Sequence, residues 1–139
     1  MDGVEFKQLK IHSDDRGDLF EGLREDDPIF GGKFGQVLIS VIKPGVVKGW
    51  HMHKKQTDYT LCAKGNILYG VSDGKKTETF VIGDKNPVMV KVTPGLWHGY
   101  KALGGEAILV HVMDTTYDPE DTEKTDPNSF GDVWSSKNE

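Results

Sequence analysis

Hydrophobic and polar positions alternate along this chain in short runs, and no long stretch has the spacing of an amphipathic helix. The runs are rich in Val, Ile, Thr, Tyr and Phe, and Gly, Pro, Asn or Asp separate them, which is typical of β-strands and turns. Strands are predicted at Val4–Ile11, Leu19–Arg24, Gln36–Ile42, Lys48–His53, Asp58–Ala63, Asn66–Ser72, Thr77–Ile82, Val88–Val92, Leu96–Ala102 and Ala107–Met113. Many short strands at such close spacing indicate an all-β sandwich or barrel.

The segments between the predicted strands carry specific turn residues. Lys64-Gly65-Asn66 and Ser72-Asp73-Gly74-Lys75 suit hairpins that need a positive φ. Lys43-Pro44-Gly45 and Thr93-Pro94-Gly95 place a proline where φ is fixed and a glycine where the backbone needs freedom. We therefore expect a tight turn at each of these four places.

The composition changes after Met113, where residues 114–139 become acidic. Three apolar residues interrupt this segment, namely Phe130, Val133 and Trp134. We expect an extended tail that packs on the barrel through these three side chains. The acid-rich run Asp118–Asp126 is expected to be a solvated part of that tail.

Length and charge set the outer bounds. A chain of 139 residues is expected to form one domain, spanning 1–139, with a real core. The net charge of −5 and the lack of a Lys/Arg cluster argue against a nucleic-acid surface. No apolar run has membrane-spanning length, so a cytoplasmic protein without a membrane partner is expected. The single cysteine, Cys62, lies in an apolar run and is expected to be a buried, inert thiol.

Candidate chemistry is concentrated in histidines. Four of the five histidines lie in predicted strands: His51, His53, His98 and His111. His51 and His53 are one residue apart, so their side chains should point to the same face of a strand. A carboxylate, Asp58, follows five residues after His53. Imidazoles in half-buried positions need partners, which predicts a functional cluster.

Two blocks of the sequence resemble the paired motifs of the cupin superfamily. The first block has Gly45, His51-Met52-His53, Asp58 and Gly65 at the cupin spacing, with Asp58 where glutamate is usual. The second block is Thr93-Pro94-Gly95-Leu96-Trp97-His98. The resemblance implies a double-stranded β-helix, which is a jelly-roll barrel, with these side chains pointing into one mouth.

A narrower resemblance extends over nearly the whole chain. The segments Asp15–Glu21, Phe34–Gln36, Lys48–His51, Pro94–Tyr100 and Tyr117–Glu120 resemble dTDP-4-dehydrorhamnose 3,5-epimerases. The His51-Met52-His53-Lys54 segment also resembles the motif of the sugar 3,4-ketoisomerases. The resemblance implies an isomerase or epimerase acting on a dTDP- or UDP-linked 4-keto-6-deoxy sugar.

Such isomerases remove a proton from a carbon next to a carbonyl, which requires a base, enolate stabilisation and an acid. The resemblance implies that His51 is the base. His53 and His111 are the candidate second acid/base groups, with His111 on the strand where the epimerases place a tyrosine. The implied substrate contacts are Arg16, Glu21, Gln36, Lys48 and His98. No cofactor or metal is implied by this chemistry.

The family resemblance also implies a homodimer in which the N-terminal strands cross to the partner barrel. Arg16 and Glu21 would then serve the neighbour's site.

Two other interpretations stay open from the residues themselves. His51, His53, Asp58 and His98 would suit Fe, Mn, Ni or Zn in a metal-dependent dioxygenase or isomerase. A sugar-nucleotide binder that kept the fold and lost the chemistry is the other alternative, because several catalytic positions depart from the epimerase pattern. The late aspartate of the epimerases has no counterpart in Ser135–Glu139, for example.

Overall fold

The computed structural model describes residues 1–135, whose regular structure is almost entirely antiparallel β. A short 3-10 turn, Pro119–Asp121, is its one helical element within that range. The strands are β1 (Val4–Gln8), β2 (His12–Asp14), β3 (Gly17–Leu19), β4 (Gln36–Ile42), β5 (Val47–His53), β6 (Asp58–Ser72), β7 (Thr77–Gly83), β8 (Val88–Val92), β9 (Trp97–Met113) and β10 (Thr122–Lys124).

Two long strands, β6 and β9, form the frame of the barrel by pairing with each other along most of their length. The first part of β6 also pairs with β8, and its second part pairs with β7. In the same way, the first part of β9 pairs with β5 and its second part pairs with β4. Because each long strand has different neighbours along its two halves, the sheet curls round a common interior. The prediction of an all-β fold is confirmed.

The predicted hairpin at Lys64-Gly65-Asn66 is wrong, because β6 continues through it. Gly65 has φ +84° and marks a shift of register against β9, so it bends the strand as a bulge instead of reversing it. A Cβ at Gly65 would lie 2.5 Å from the carbonyl oxygen of Glu106, which explains why glycine is needed there. The two strands predicted at Leu96–Ala102 and Ala107–Met113 likewise form one strand, β9.

The predicted strand Leu19–Arg24 is also wrong. A small hairpin of β2 and β3 ends at Leu19, and the chain then runs without regular structure to Gly35. Asp27 explains part of this path, since its carboxylate accepts hydrogen bonds from the Arg24 backbone N–H (2.6 Å) and from the Lys7 ammonium (2.7 Å). The segment thereby folds back over β1 instead of pairing with a strand.

The acidic C-terminal segment is attached to the barrel at defined points, although most residues of the run 118–126 are exposed as expected. The 3-10 turn places Asp121 in a buried position, and β10 then pairs with β5. Phe130 and Trp134 pack against Trp50, with ring centroids 5.1 and 4.9 Å away. The indole N–H groups of Trp50 and Trp134 both donate to the Pro127 carbonyl at 3.0 Å. The last four residues, 136–139, lie outside the described part of the chain.

The barrel interior is apolar and well packed. Its larger cluster includes Ile67, Tyr69, Val90 and Leu109. Cys62 belongs to the same cluster, and burial raises the pKa of its thiol to about 11, so the prediction of a buried, inert thiol is confirmed. No helix within residues 1–135 is long and apolar enough to cross a membrane.

Candidate active site

The predicted histidines meet in one pocket of about 200 Å³ between β5, β6 and β9. Twelve residues line this pocket: Leu38, His51, His53, Gln56, Asp58, His98, Tyr100, His111, Met113, Tyr117, Thr122 and Lys124. Four histidines, one buried carboxylate and two tyrosines therefore share a small space, and four of these residues are the ones in the cupin-like blocks: His51, His53, Asp58 and His98. This cavity is named the histidine pocket after its four imidazoles.

The backbone of β5 brings His51 and His53 to the histidine pocket. The register of β5 against β9 shifts between Lys48 and His51, so that His51 lies opposite His98. Gly49 passes closely beside Gly99 at this shift, and a Cβ on Gly99 would be 2.8 Å from the Gly49 Cα. Trp50, which lies between Gly49 and His51 in the sequence, is fully buried. This arrangement leaves both imidazoles half-buried on the pocket side of the strand.

Asp58 is the polar centre of the histidine pocket. Its Oδ2 lies 3.1 Å from His98 Nε2 and 3.4 Å from His53 Nε2. Its Oδ1 accepts a hydrogen bond from the Gln56 side-chain amide at 2.5 Å. Burial raises the pKa of Asp58, but the hydrogen bonds and charges of the two imidazoles outweigh it, so the pKa lies well below its usual range. The carboxylate is therefore ionised at any pH at which the protein works.

The two histidines of β5 differ in proton affinity. Burial, with the nearby charges of His98, Lys124 and His53, lowers the pKa of His51 to about 4, although the Asp58 carboxylate acts in the opposite direction. Burial also lowers the pKa of His53, but its hydrogen bond to Asp58 and the charge of that carboxylate outweigh burial and raise the pKa overall. Neighbouring groups whose environments push their pKa values apart are suited to act as base and acid. At neutral pH His51 is therefore the neutral imidazole, and His53 is the one with the higher affinity for a proton.

His111 lies deeper, beside a hydroxyl cluster. Its Nδ1 contacts the Thr60 hydroxyl at 2.9 Å. Its Nε2 lies 3.2 Å from the Ser40 hydroxyl and 3.5 Å from the Tyr100 hydroxyl. Burial raises the pKa of Tyr100, so this phenol remains protonated and can donate a hydrogen bond. Tyr100 is thus a tyrosine whose hydroxyl contacts His111, whereas the family resemblance aligns His111 itself with the tyrosine that acts as the acid in the epimerases.

Three of the four predicted metal ligands lie together. One ligand atom each from His53, Asp58 and His98 falls within 4.8 Å of the others. His51 is not part of this group, and its ring centroid is 6.5 Å from that of His98. Two imidazoles and one carboxylate match the ligand chemistry of several divalent metals. The same three groups also satisfy one another by direct hydrogen bonding, which needs no ion.

The predicted substrate contacts are less concentrated. Gln36 and Lys48 lie near the pocket rim, where Gln36 accepts from the Tyr117 N–H (2.7 Å) and exposed Lys48 pairs in register with Tyr100. Arg16 lies on the β2–β3 hairpin with its side chain 86% exposed and bound to Asp14. Glu21 pairs with Arg24 in the irregular segment. Neither Arg16 nor Glu21 lines the histidine pocket of its own chain.

Several pocket residues were missed from the sequence. Tyr100 follows His98 by two residues on the same strand, so alternation along β9 could have identified it. Thr122, which lines the pocket, and Thr60, which contacts His111, are polar side chains of ordinary type, and their spacing carries no signal. Lys124 faces His51 across the β5–β10 pair. It could not be found without the pairing of the C-terminal strand.

The buried histidines predict a fall in stability at mildly acidic pH. Burial lowers the pKa of His111 from 6.5 to about 4, so the unfolded chain binds this proton more readily than the folded one. The stabilisation that neutral His111 contributes is complete above about pH 6.5 and is lost as the pH falls towards 4. At pH 5, about 2 kcal/mol of the free energy of unfolding has been lost. His51 acts in the same direction, and His53, whose pKa is raised, acts in the opposite one.

Urea unfolding at pH 7 and pH 5 measures this effect. We expect the wild type to lose more stability between these pH values than the His111→Asn variant. Parallel losses in the two proteins would show that His111 is not the group responsible.

Comparisons with known proteins agree with this geometry. The family model described as FdtA: WxcM-like, C-terminal matches residues 2–133. The chain is 34% identical over 130 residues to a probable low-salt glycan biosynthesis epimerase of Haloferax volcanii, covering 87% of this chain and 83% of that protein. It is 31% identical over 149 residues to the spore coat polysaccharide biosynthesis protein SpsL of Bacillus subtilis, covering 99% and 98%.

Solved structures show the same fold. ChmJ, a 3'-monoepimerase from Streptomyces bikiniensis, has a TM-score of 0.84 at 26% identity, over 91% of this chain and 71% of that one. A dTDP sugar isomerase from Desulfovibrio desulfuricans has a TM-score of 0.88 at 23% identity, over 96% and 91%, which shows likeness of fold alone. The predicted cupin jelly roll is confirmed.

Proposed function

The chain belongs to the FdtA family of WxcM-like C-terminal domains, and we propose that it isomerises or epimerises a nucleotide-linked 4-keto-6-deoxy sugar by acid/base chemistry. The observation that carries this proposal is the pairing of His51 and His53 in one pocket with opposite pKa shifts. Relatives named as epimerases and sugar-biosynthesis proteins support the substrate class. ChmJ, which is 26% identical, was solved with dTDP-quinovose.

The chemistry follows from the positions of these side chains. Neutral His51 takes the proton from the carbon next to the substrate carbonyl, since a lowered pKa keeps its lone pair available at neutral pH. The oxygen of the resulting enolate accepts a hydrogen bond from the Tyr100 hydroxyl, which stays protonated. His53, whose proton is held by Asp58, returns a proton to the enolate carbon. His111 is the further candidate acid/base group, acting through its contact with Tyr100.

The diphosphate of the substrate needs positive charge at the rim of the pocket. Lys124 lines the pocket, and Lys48 is an exposed residue of strand β5. Both ammonium groups are therefore available to bind phosphate as point charges. Gln36 on β4 is placed to contact the nucleotide or sugar beside Tyr117. His98 holds Asp58 and forms part of the pocket wall.

A second copy of the chain would complete the site. Within residues 1–135, strand β4 pairs with β9 alone, and it exposes three apolar side chains on the face opposite to the pocket residue Leu38: Val37, Ile39 and Val41. An apolar strand without a second neighbour suits association with another copy. We infer a homodimer in which the N-terminal hairpin reaches the partner's pocket, bringing Arg16 and Glu21 to bind its substrate. Sedimentation equilibrium tests this inference, and a monomer at micromolar concentration would contradict it.

A metal-dependent activity is the second candidate, and the grouping of His53, Asp58 and His98 favours it. Metal analysis of purified protein, with activity before and after chelation, separates it from metal-free isomerisation. A catalytically silent sugar-nucleotide binder is distinguished by binding without any change in the sugar.

The proposal is tested by incubating the protein with dTDP-4-keto-6-deoxyglucose and following the sugar by NMR. We expect either inversion at C3 or C5 or movement of the carbonyl from C4 to C3. An unchanged sugar in the presence of demonstrated dTDP binding would contradict isomerase function and favour the binding-only interpretation.

A further inference from the structure

Asp121 is a buried carboxylate to which the proposed chemistry assigns no role. Its side chain is 7% exposed, and it lies at the end of the 3-10 turn in the acidic C-terminal segment. A buried charge is costly unless several hydrogen bonds compensate it. The hydrogen bonds accepted by Asp121 therefore show which part of the chain the C-terminal segment stabilises.

The carboxylate of Asp121 holds three consecutive backbone N–H groups. Its Oδ1 accepts from Lys54 N at 3.1 Å and from Lys55 N at 2.8 Å. Its Oδ2 accepts from Gln56 N at 3.1 Å. The Lys54 N–H also points to the Asp121 backbone carbonyl, 3.2 Å away. One side chain thus fixes the whole corner between β5 and β6.

That corner connects two groups of the histidine pocket, because His53 precedes it and Asp58 follows it. Gln56, in the corner, donates to Asp58 Oδ1 at 2.5 Å and lies 3.4 Å from His53 Nε2. Thr122, the residue after Asp121, contacts the other nitrogen of His53, Nδ1, at 3.3 Å. Both nitrogens of the His53 ring are therefore set by contacts that depend on this corner and on the C-terminal segment.

Local sequence explains how Asp121 reaches this position. Asp118 caps the 3-10 turn by accepting from Glu120 N at 3.0 Å, and Pro119 starts the turn. The turn points Asp121 inwards, and the chain then continues as β10 with Thr122 opposite His53 and Lys124 opposite His51. The exposed neighbours Glu120 and Glu123 do not share this orientation.

We propose that Asp121 is a positioning residue for the isomerase reaction, which holds the corner at residues 54–56 so that His53, Gln56 and Asp58 keep their relative geometry. This inference rests on the proposed function for its catalytic consequence. A displacement of about 1 Å at an acid/base group is enough to lower a rate by up to about 10²-fold. Asp121 does not face the substrate, so nucleotide binding should be spared.

The variant Asp121→Asn tests the inference, since it keeps the size of the side chain but turns one acceptor into a donor facing a backbone N–H. We expect kcat to fall about 10-fold or more, while the Kd for dTDP changes less than about twofold. The matched control is Glu120→Gln, which removes an exposed carboxylate directly before Asp121 and should keep the wild-type kcat. An unchanged kcat in Asp121→Asn, or an equal loss of dTDP binding, would overturn the inference.

Two measurements on the ligand-free protein keep the test independent of the proposed function. Amide hydrogen exchange in the wild type should show protected N–H groups at Lys54, Lys55 and Gln56, and exchange at the rate of an open loop would overturn the inference even if the variant failed to fold. The ¹H–¹⁵N shifts of His53, Gln56 and Asp58 should change in Asp121→Asn, whereas they should stay unchanged in Glu120→Gln. If the wild type lacks isomerase activity, the proposed function fails while these two results still decide the role of Asp121 in the corner.

Discussion

Replacement of His51 by asparagine is expected to lower the rate of sugar isomerisation by about 10²–10⁴-fold, the range typical for loss of a positioned general base. His51 is the imidazole whose lowered pKa keeps it neutral and able to take a proton, and it faces the histidine pocket. Asparagine is smaller and still polar, so the pocket should stay intact. The Kd for dTDP should therefore change little, and the loss should appear in kcat.

The control for this prediction is Glu78→Gln. Glu78 lies on β7, where it pairs with Lys76, and it does not line the histidine pocket. Single-turnover NMR assays on both variants give the rates. If His51→Asn retained the wild-type kcat, His51 could not be the base, and the assignment of acid and base in this pocket would have to be abandoned.

Asp58→Asn is expected to have the second-largest effect, with a loss in rate of about 10²-fold, as for other residues that orient a functional imidazole. The carboxylate of Asp58 contacts both His53 and His98, and an amide would direct an N–H at one of them. Loss of the negative charge also removes the group that raises the pKa of His53. His53 would then be a poorer proton donor at neutral pH.

Stability should fall in the same variant by about 1–3 kcal/mol, because a buried donor loses its acceptor. Asp84→Asn is the appropriate comparison, since Asp84 accepts a hydrogen bond from Gly65 N away from the pocket (3.3 Å). Urea unfolding and pH–rate profiles of the two variants provide the readout. The profile of Asp58→Asn should shift its basic limb to lower pH, and a profile identical to that of the wild type would argue against the Asp58–His53 pairing in catalysis.

The histidine pocket was largely accessible from the sequence, because the His51-Met52-His53 and Pro94–His98 blocks fix residue types at defined spacing along strands. Spacing could not predict whether the chain reverses or continues at Gly65. A glycine with positive φ suits a hairpin and a bulge equally well, and only the close approach of the Glu106 carbonyl decides between them.

The C-terminal segment shows a different limit. Composition indicates that residues 118–126 are acidic, but it cannot tell which carboxylate is buried. Asp121 is buried, whereas Glu120 and Glu123 are exposed, because the 3-10 turn points the Asp121 side chain inwards. That orientation depends on contacts with residues nearly 70 positions earlier. Arg16 and Glu21 lie outside the histidine pocket of their own chain, and their predicted role in the partner's site requires a second chain.

The most direct test of acid/base isomerisation is incorporation of solvent deuterium into dTDP-4-keto-6-deoxyglucose, followed by NMR in deuterated buffer containing EDTA. Since His51 removes the proton and His53, in a pocket open to solvent, returns another, deuterium should enter at the carbon next to the carbonyl, and chelation should not slow it. Conversion of the sugar without deuterium, or only after a divalent metal is restored, would contradict this mechanism.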